Sequence, residues 1–243
     1  MSTTISSPAD QELAALLAAS SPSTIADVIA IMEAIDTVLP ANDGLKWFNK
    51  LYLMVTQQVD ANPSAGAWQD PDWLLALDVV FARYYFGSIR GYLAGTGIPS
   101  SWSALFEARF RPEIERIQFA VAGMNAHINH DLAQALVDTS AALHVTPAPG
   151  GPEHADYQAV NTLLATVMPA ALNMLASDTL GVLAEDTGTV GRLLAFWDIC
   201  RARDLAWDFA DHLRGLSGLP REFALNAQDA LTGALGRAIL ALV

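Results

Sequence analysis

Gly123-Met124-Asn125-Ala126-His127-Ile128-Asn129-His130-Asp131-Leu132 is the stretch on which the reading of this chain turns. Its apolar positions continue through Ile117 and Val121 upstream and Ala135 downstream. They fall on one stripe when residues are placed about 100° apart around a helix axis. That spacing predicts a long helix, opened by Pro112 and running to about His144. Inside it sit two Asn, two His and one Asp, all weak helix formers, and a Gly that costs about 1 kcal/mol relative to Ala. Packing alone supplies no local reason to gather them. The segment is therefore both the expected centre of the fold and the best candidate for a working site.

Outward from this segment, the chain reads as helices separated by breakers. Ser7-Pro8 opens a helix to about Ala19, with Pro at its favoured first position. Ser23 is expected to cap a second helix, Thr24 to Leu39, which stops at Pro40, and Asp43 can cap a third helix to Val59. After a loop from Asp60 to Gln69, Asp72 to Leu93 reads as a helix with large aromatics at helical spacing. Gly95 to Pro99 is a break, and Ser100 to Ala108 a short helix. Pro147-Ala148-Pro149-Gly150-Gly151-Pro152 is the strongest linker signal. Neither side of it is self-sufficient, so it reads as a loop over 146–152 within one domain. Then come Glu153 to Leu175, an irregular stretch to Gly188, Thr189 to Leu216, and a last helix from Arg221. Leu180 to Ala184 is ambiguous between helix and strand. The expectation is an all-α protein: an N-terminal helix or arm over 1–22 and a single compact domain over 23–243. About eight or nine helices should surround a buried central one.

Composition bounds the function. Apolar residues make up 52% of the 243, enough for a sizeable core. No run reaches the roughly 18 uninterrupted apolar residues of a membrane span. The nearest, Leu163 to Ala176, is broken by Thr166, Pro169 and Asn173. The first residues carry no signal-peptide pattern, so a cytoplasmic location is expected. A net charge of −13, with Lys and Arg scattered, argues against nucleic acid and anionic membranes as partners. It also helps keep an apolar-rich chain in solution. One cysteine, Cys200, excludes an internal disulfide and a multi-cysteine metal site. Its apolar helical setting predicts a buried, inert thiol.

His127 and Asp131 are i,i+4 neighbours, the spacing at which a carboxylate can orient an imidazole. In one reading Asp131 holds His127 as a general acid or base. In another the two supply part of a metal site, with His130 as a third candidate. A solvated polar helix face is the bland alternative. Asn125 and Asn129 share a different flank and are expected to face another helix. Gly123 leaves room one turn before His127 for a ligand or for a close helix contact. Further polar residues in apolar company are Asp78, Arg83, Asn161 and Arg203, and Arg203 can stack on Trp207. Asp204, Asp208 and His212 have ligand spacing, but ion pairing explains them as well. No zincin, phosphate-loop or nucleophile-elbow signature is present, and nothing in the residues implies a particular cofactor.

The central segment resembles the signature of DUF5995, a mainly actinobacterial family of uncharacterised proteins: Gly-Met-Asn-Ala-His-Ile-Asn, one variable position, then Asp-Leu. Further similar stretches are Ile35-Asp36, Leu39-Pro40, Asp43-Gly44-Leu45-Lys46-Trp47-Phe48-Asn49, Leu77-Asp78-Val79-Val80-Phe81-Ala82 and Asp156-Tyr157. The likeness covers roughly Ile31 to Asn161 and, more weakly, the Arg203/Trp207 region. It implies an all-helical soluble protein and no known mechanism. It points to Asn125, His127, Asn129 and Asp131, whereas His130 falls on the variable position.

The leading expectation is an enzyme acting on a small, largely apolar molecule. Its catalytic set would be His127, Asp131, Asn125 and Asn129, with Asp78, Arg83, Asn161, Arg203 and Trp207 contacting the substrate. A non-catalytic binder of an apolar small molecule is the second reading. A structural or homo-oligomeric helical protein is the third.

Overall fold

The computed structural model describes residues 7–61, 68–176 and 198–241. Among them there is no strand. The helices are α1 (Pro8–Ala18), α2 (Ile25–Val38), α3 (Gly44–Ala61), α4 (Pro71–Ala94), α5 (Ser100–Ala108), α6 (Arg116–Ala126), α7 (Leu132–Leu143), α8 (Pro152–Ala176), α9 (Ile199–Arg214) and α10 (Gly218–Leu240). A π turn, His127–Asp131, joins α6 to α7, so these segments form nine helical rods. No helix among the described residues is long and apolar enough to cross a membrane. The ambiguous stretch Leu180 to Ala184 and the expected helix start at Thr189 lie outside the described residues.

Local chemistry sets the helix starts. Ser7 accepts a hydrogen bond from the Asp10 amide, and Thr24 and Asp27 cap α2 reciprocally. Asp70 caps α4, and Gly95 closes it in the left-handed conformation, at φ 66°. The central helix starts at Arg116 rather than Pro112, because Glu115 and Gln118 form the reciprocal cap. Helix α5 has no side-chain cap of its own. Its amide groups at Ser100 and Ser101 donate to Asp229 of α10, at 2.7 and 2.9 Å. The helix α1 packs on α2 and α4, with Leu13 and Leu17 fully buried. Behind it, Arg109 is buried between Asp43 and Asp10.

The rod α6–π–α7 runs through the middle. Every residue from Ile117 to Ala126 is buried, so the expected apolar stripe is in fact a helix covered on all sides. Helices α3, α5, α8 and α10 pack around α6. Gly123 explains one of these approaches. A Cβ there would lie 2.3 Å from Cγ of Phe48 on α3, so the missing side chain admits an aromatic ring. At the π turn the Leu132 amide donates to the His127 carbonyl, five residues back. Such one-turn widenings are rare and gather at functional sites. Helices α4, α9 and α10 contact this turn.

Candidate functional site

Within the π turn, His127 Nδ1 lies 2.9 Å from Asp131 Oδ2. The same oxygen accepts a hydrogen bond from Trp102 Nε1 of α5, also at 2.9 Å. Both His127 and Asp131 are buried, at 2% and 1% exposure. Phe81 of α4 stacks on the imidazole at 3.5 Å between centroids and 3° between planes. Tyr52 and Phe48 of α3 meet it edge-on. The ring is thus fixed on its faces, along an edge and at one nitrogen. Its other nitrogen, Nε2, is buried and has no hydrogen-bond partner among the described residues.

Burial holds the His127 pKa well below the ordinary histidine value, so the imidazole is neutral at pH 7. Burial likewise pushes the Asp131 carboxyl upward, opposed by the Trp102 hydrogen bond. The pair has two hydrogen-bonded forms. With Asp131 ionised, Nδ1–H donates to Oδ2 and Nε2 presents a lone pair. With Asp131 protonated, the carboxyl donates to Nδ1 and Nε2 carries the hydrogen. Either form leaves Nε2 as the atom that can exchange a proton with a ligand.

His127 lies on the wall of a small, partly open cavity. The wall is mostly aliphatic and aromatic, with residues from α3, α4, α6, the π turn, α8 and α9. Two further polar groups reach it. Asp78 of α4 is partly buried, and its Oδ2 is shielded and unpartnered among the described residues. Desolvation pushes its pKa up to about 7, against the attraction of Arg203. Arg203 of α9 is only 7% exposed. Its Nε donates to Asn161 Oδ1 and its Nη2 to the Tyr157 carbonyl, both at 2.8 Å. The guanidinium lies 4.2 Å over the Tyr157 ring.

The structure therefore brings His127, Asp131, Asp78 and Arg203 together, with Asn161 orienting Arg203. Others of the expected set lie elsewhere. Asn125 donates to the Thr232 carbonyl of α10 and accepts from Asn129, so these two serve the α6–α10 contact and not the cavity. Arg83 is exposed and donates to the Pro22 carbonyl. Trp207 packs behind the cavity against Trp73 and Tyr157, and Arg203 stacks on Tyr157 in its place. His130 turns toward α10, with Nδ1 3.7 Å from Asp229. Cys200 is partly rather than fully buried. Sequence reasoning passed over Trp102 and quoted Phe81 only within a family-like stretch, without placing it at the site; neither sits near His127 in sequence. Among the described residues, no three His, Cys, Asp or Glu groups converge into a metal-ligand set.

An all-helical protein with a buried, aromatic-clamped His–Asp pair on an apolar cavity is the class that fold and site define. Residues 25–242 match the model of DUF5995, a family of unknown function, and the chain belongs to that family. No curated protein and no solved structure matches it.

Proposed function

We propose that this protein is an enzyme acting on a small, largely apolar molecule by acid–base chemistry at His127. The observation that carries the reading is the state of Nε2. It is a buried, unpartnered nitrogen of a residue that lines an apolar cavity, on a ring whose Nδ1 is tied to Asp131. Most buried side-chain nitrogens have a hydrogen-bond partner, so an unpartnered one on a cavity-lining residue marks a place where a ligand can supply it. Asp131 orients the ring and answers its change of charge, and Trp102 holds Asp131. Aromatic walls exclude water and keep the resting imidazole neutral, so its protonation during reaction leans on the neighbouring Asp131 carboxylate.

A panel of apolar metabolites, scored for turnover by mass spectrometry, tests this. His127→Gln keeps much of the volume and removes the proton-exchanging nitrogen. It is expected to lower turnover at least about 100-fold while the helical fold persists. A His127→Gln protein that turns over the same compound at the wild-type rate would refute the proposal. Release of an unmodified compound from purified protein, with His127→Gln altering only its affinity, would favour a binding protein instead.

A further inference from the structure

We infer that the cavity takes an apolar monocarboxylate, with its carboxylate seated between Arg203 and Asp78 and its tail along the aliphatic wall. The inference rests on the cavity being a ligand site, as proposed above, and not on the chemistry assigned to His127.

Among the described residues, Arg203 brings the cavity a positive charge with no ionic partner. Arg203 is more than nine-tenths buried, and among the described residues its guanidinium is bonded only to neutral oxygens: Asn161 Oδ1 and the Tyr157 carbonyl. Its Nη1 has no hydrogen bond there. A buried cation without a counter-charge is costly, and structures normally pair it. The carboxyl that shares the cavity, Asp78, is neither hydrogen-bonded nor ion-paired to Arg203, and its Oδ2 has no partner. The two groups feel each other across a gap. A ligand carboxylate fits both sides of that gap. One oxygen accepts from Arg203 and supplies the missing charge. The other accepts from Asp78 in its acid form, which burial favours.

Other head groups fit less well. An ammonium would place a second cation beside Arg203. A hydroxyl would leave the guanidinium without a counter-charge. The rest of the ligand is set by the wall, where Leu51, Val59, Leu74, Val160 and Leu164 line the cavity. These surfaces match a hydrocarbon chain or ring.

A pH dependence follows. The charged or titratable groups around Asp78 are Arg203 from α9, Tyr52 from α3 and His127 from the π turn. A bound carboxylate favours the protonated form of Asp78, so binding takes up a proton once the empty site has lost it. Affinity is therefore full below the Asp78 pKa of about 7 and falls above it.

Isothermal titration of the intact protein with octanoate, octan-1-ol and octylamine tests the inference. Octanoate is expected to bind at least about tenfold more tightly than octanol, a difference of about 1.4 kcal/mol, with octylamine weakest. Arg203→Gln should erase the preference for octanoate and change octanol affinity less than about twofold. Arg203→Lys, which keeps the charge, should retain most of it. The ratio of the two affinities within one variant is unaffected by partial loss of folded protein. Octanoate should bind at least about threefold more weakly near pH 8.5 than near pH 6.5, and Asp78→Asn should abolish that difference. Equal binding of octanol and octanoate overturns the inference. So does tightest binding of octylamine, or no binding of any of the three. Arg203-dependent octanoate binding stands even if no His127-dependent turnover is found, in which case only the acid–base reading fails. His127-dependent turnover of a compound lacking a carboxylate keeps that reading and refutes this one.

Discussion

Gly123→Ala should destabilise the protein even though it improves a helix-forming position. In an open helix the exchange gains about 1 kcal/mol. Here the new Cβ would lie 2.3 Å from Cγ, 2.6 Å from Cβ and 2.6 Å from Cδ2 of Phe48. Carbon contacts are comfortable only at about 3.5–4.0 Å, so the ring must retreat by more than about 1 Å. It strikes at the base of the ring, where no flexible tip can swing aside. Tyr52, Tyr85 and Trp102 hem the ring in, with centroids 5.8, 5.0 and 5.4 Å away. Overpacking of a tight core typically costs about 1–3 kcal/mol. The upper end applies, and subtracting the propensity gain leaves about 2 kcal/mol of net destabilisation. For a chain of this size that is about 4–8 °C in Tm. Thermal and urea denaturation followed by circular dichroism measure it. The double variant Gly123→Ala/Phe48→Leu should recover more than its single changes sum to, because the clash is removed. A Gly123→Ala protein that melts at or above the wild-type temperature would refute the close-approach reading.

Other perturbations separate packing from site. Asp78 has a folded pKa raised from 3.8 to about 7, so its contribution to stability is present below the unfolded value and is lost as pH rises to 7. Asp78→Asn should therefore be more stable than wild type at pH 8, by roughly 2 kcal/mol after allowing for partial exposure, with the gap closing toward pH 4. A gap that does not vary with pH in chemical melts counts against a buried acid. Trp102→Phe removes the indole donor from Asp131 and should cost about 1–3 kcal/mol. An unchanged melting temperature would mean that this hydrogen bond is idle. Asn129→Ala loses one amide bond to Asn125 and should cost about 1 kcal/mol while leaving octanoate binding intact. Lost binding in that variant would return Asn129 to the site.

The helical class was legible because Ala and Leu dominate and breakers punctuate the apolar periodicity. The His127–Asp131 contact was legible too, since i,i+4 spacing survives in the structure at 2.9 Å. The π turn was not. Its widening changes backbone pairing by one residue, which a side-chain pattern this short does not register. Trp102 lies 29 residues from Asp131, so only the fold of α5 against the central rod brings them together. Arg83 was misplaced for a geometric reason. Five residues from Asp78, it falls about 140° around α4 and meets the α1–α2 connection instead. Asn125 and Asn129 shared a motif with His127 but not its side of the helix. Sequence proximity groups residues that a helix then points in different directions. That Arg203 has no ionic partner among the described residues is a property of several helices at once and leaves no trace in a linear pattern.

The cap on α5 has a consequence for the order of events in folding. Helix α5 is nine residues long, too short to be stable alone, and its amide groups wait for a carboxylate some 128 residues downstream. Trp102 rides on that helix. During synthesis, at roughly 5–20 residues per second, α5 must spend several seconds or longer uncapped before Asp229 emerges. The contact between Trp102 and Asp131 is therefore expected to become firm only when α10 docks. A chain stalled before Asp229 should then leave the α5 amides uncapped and the Trp102 clamp on Asp131 loose.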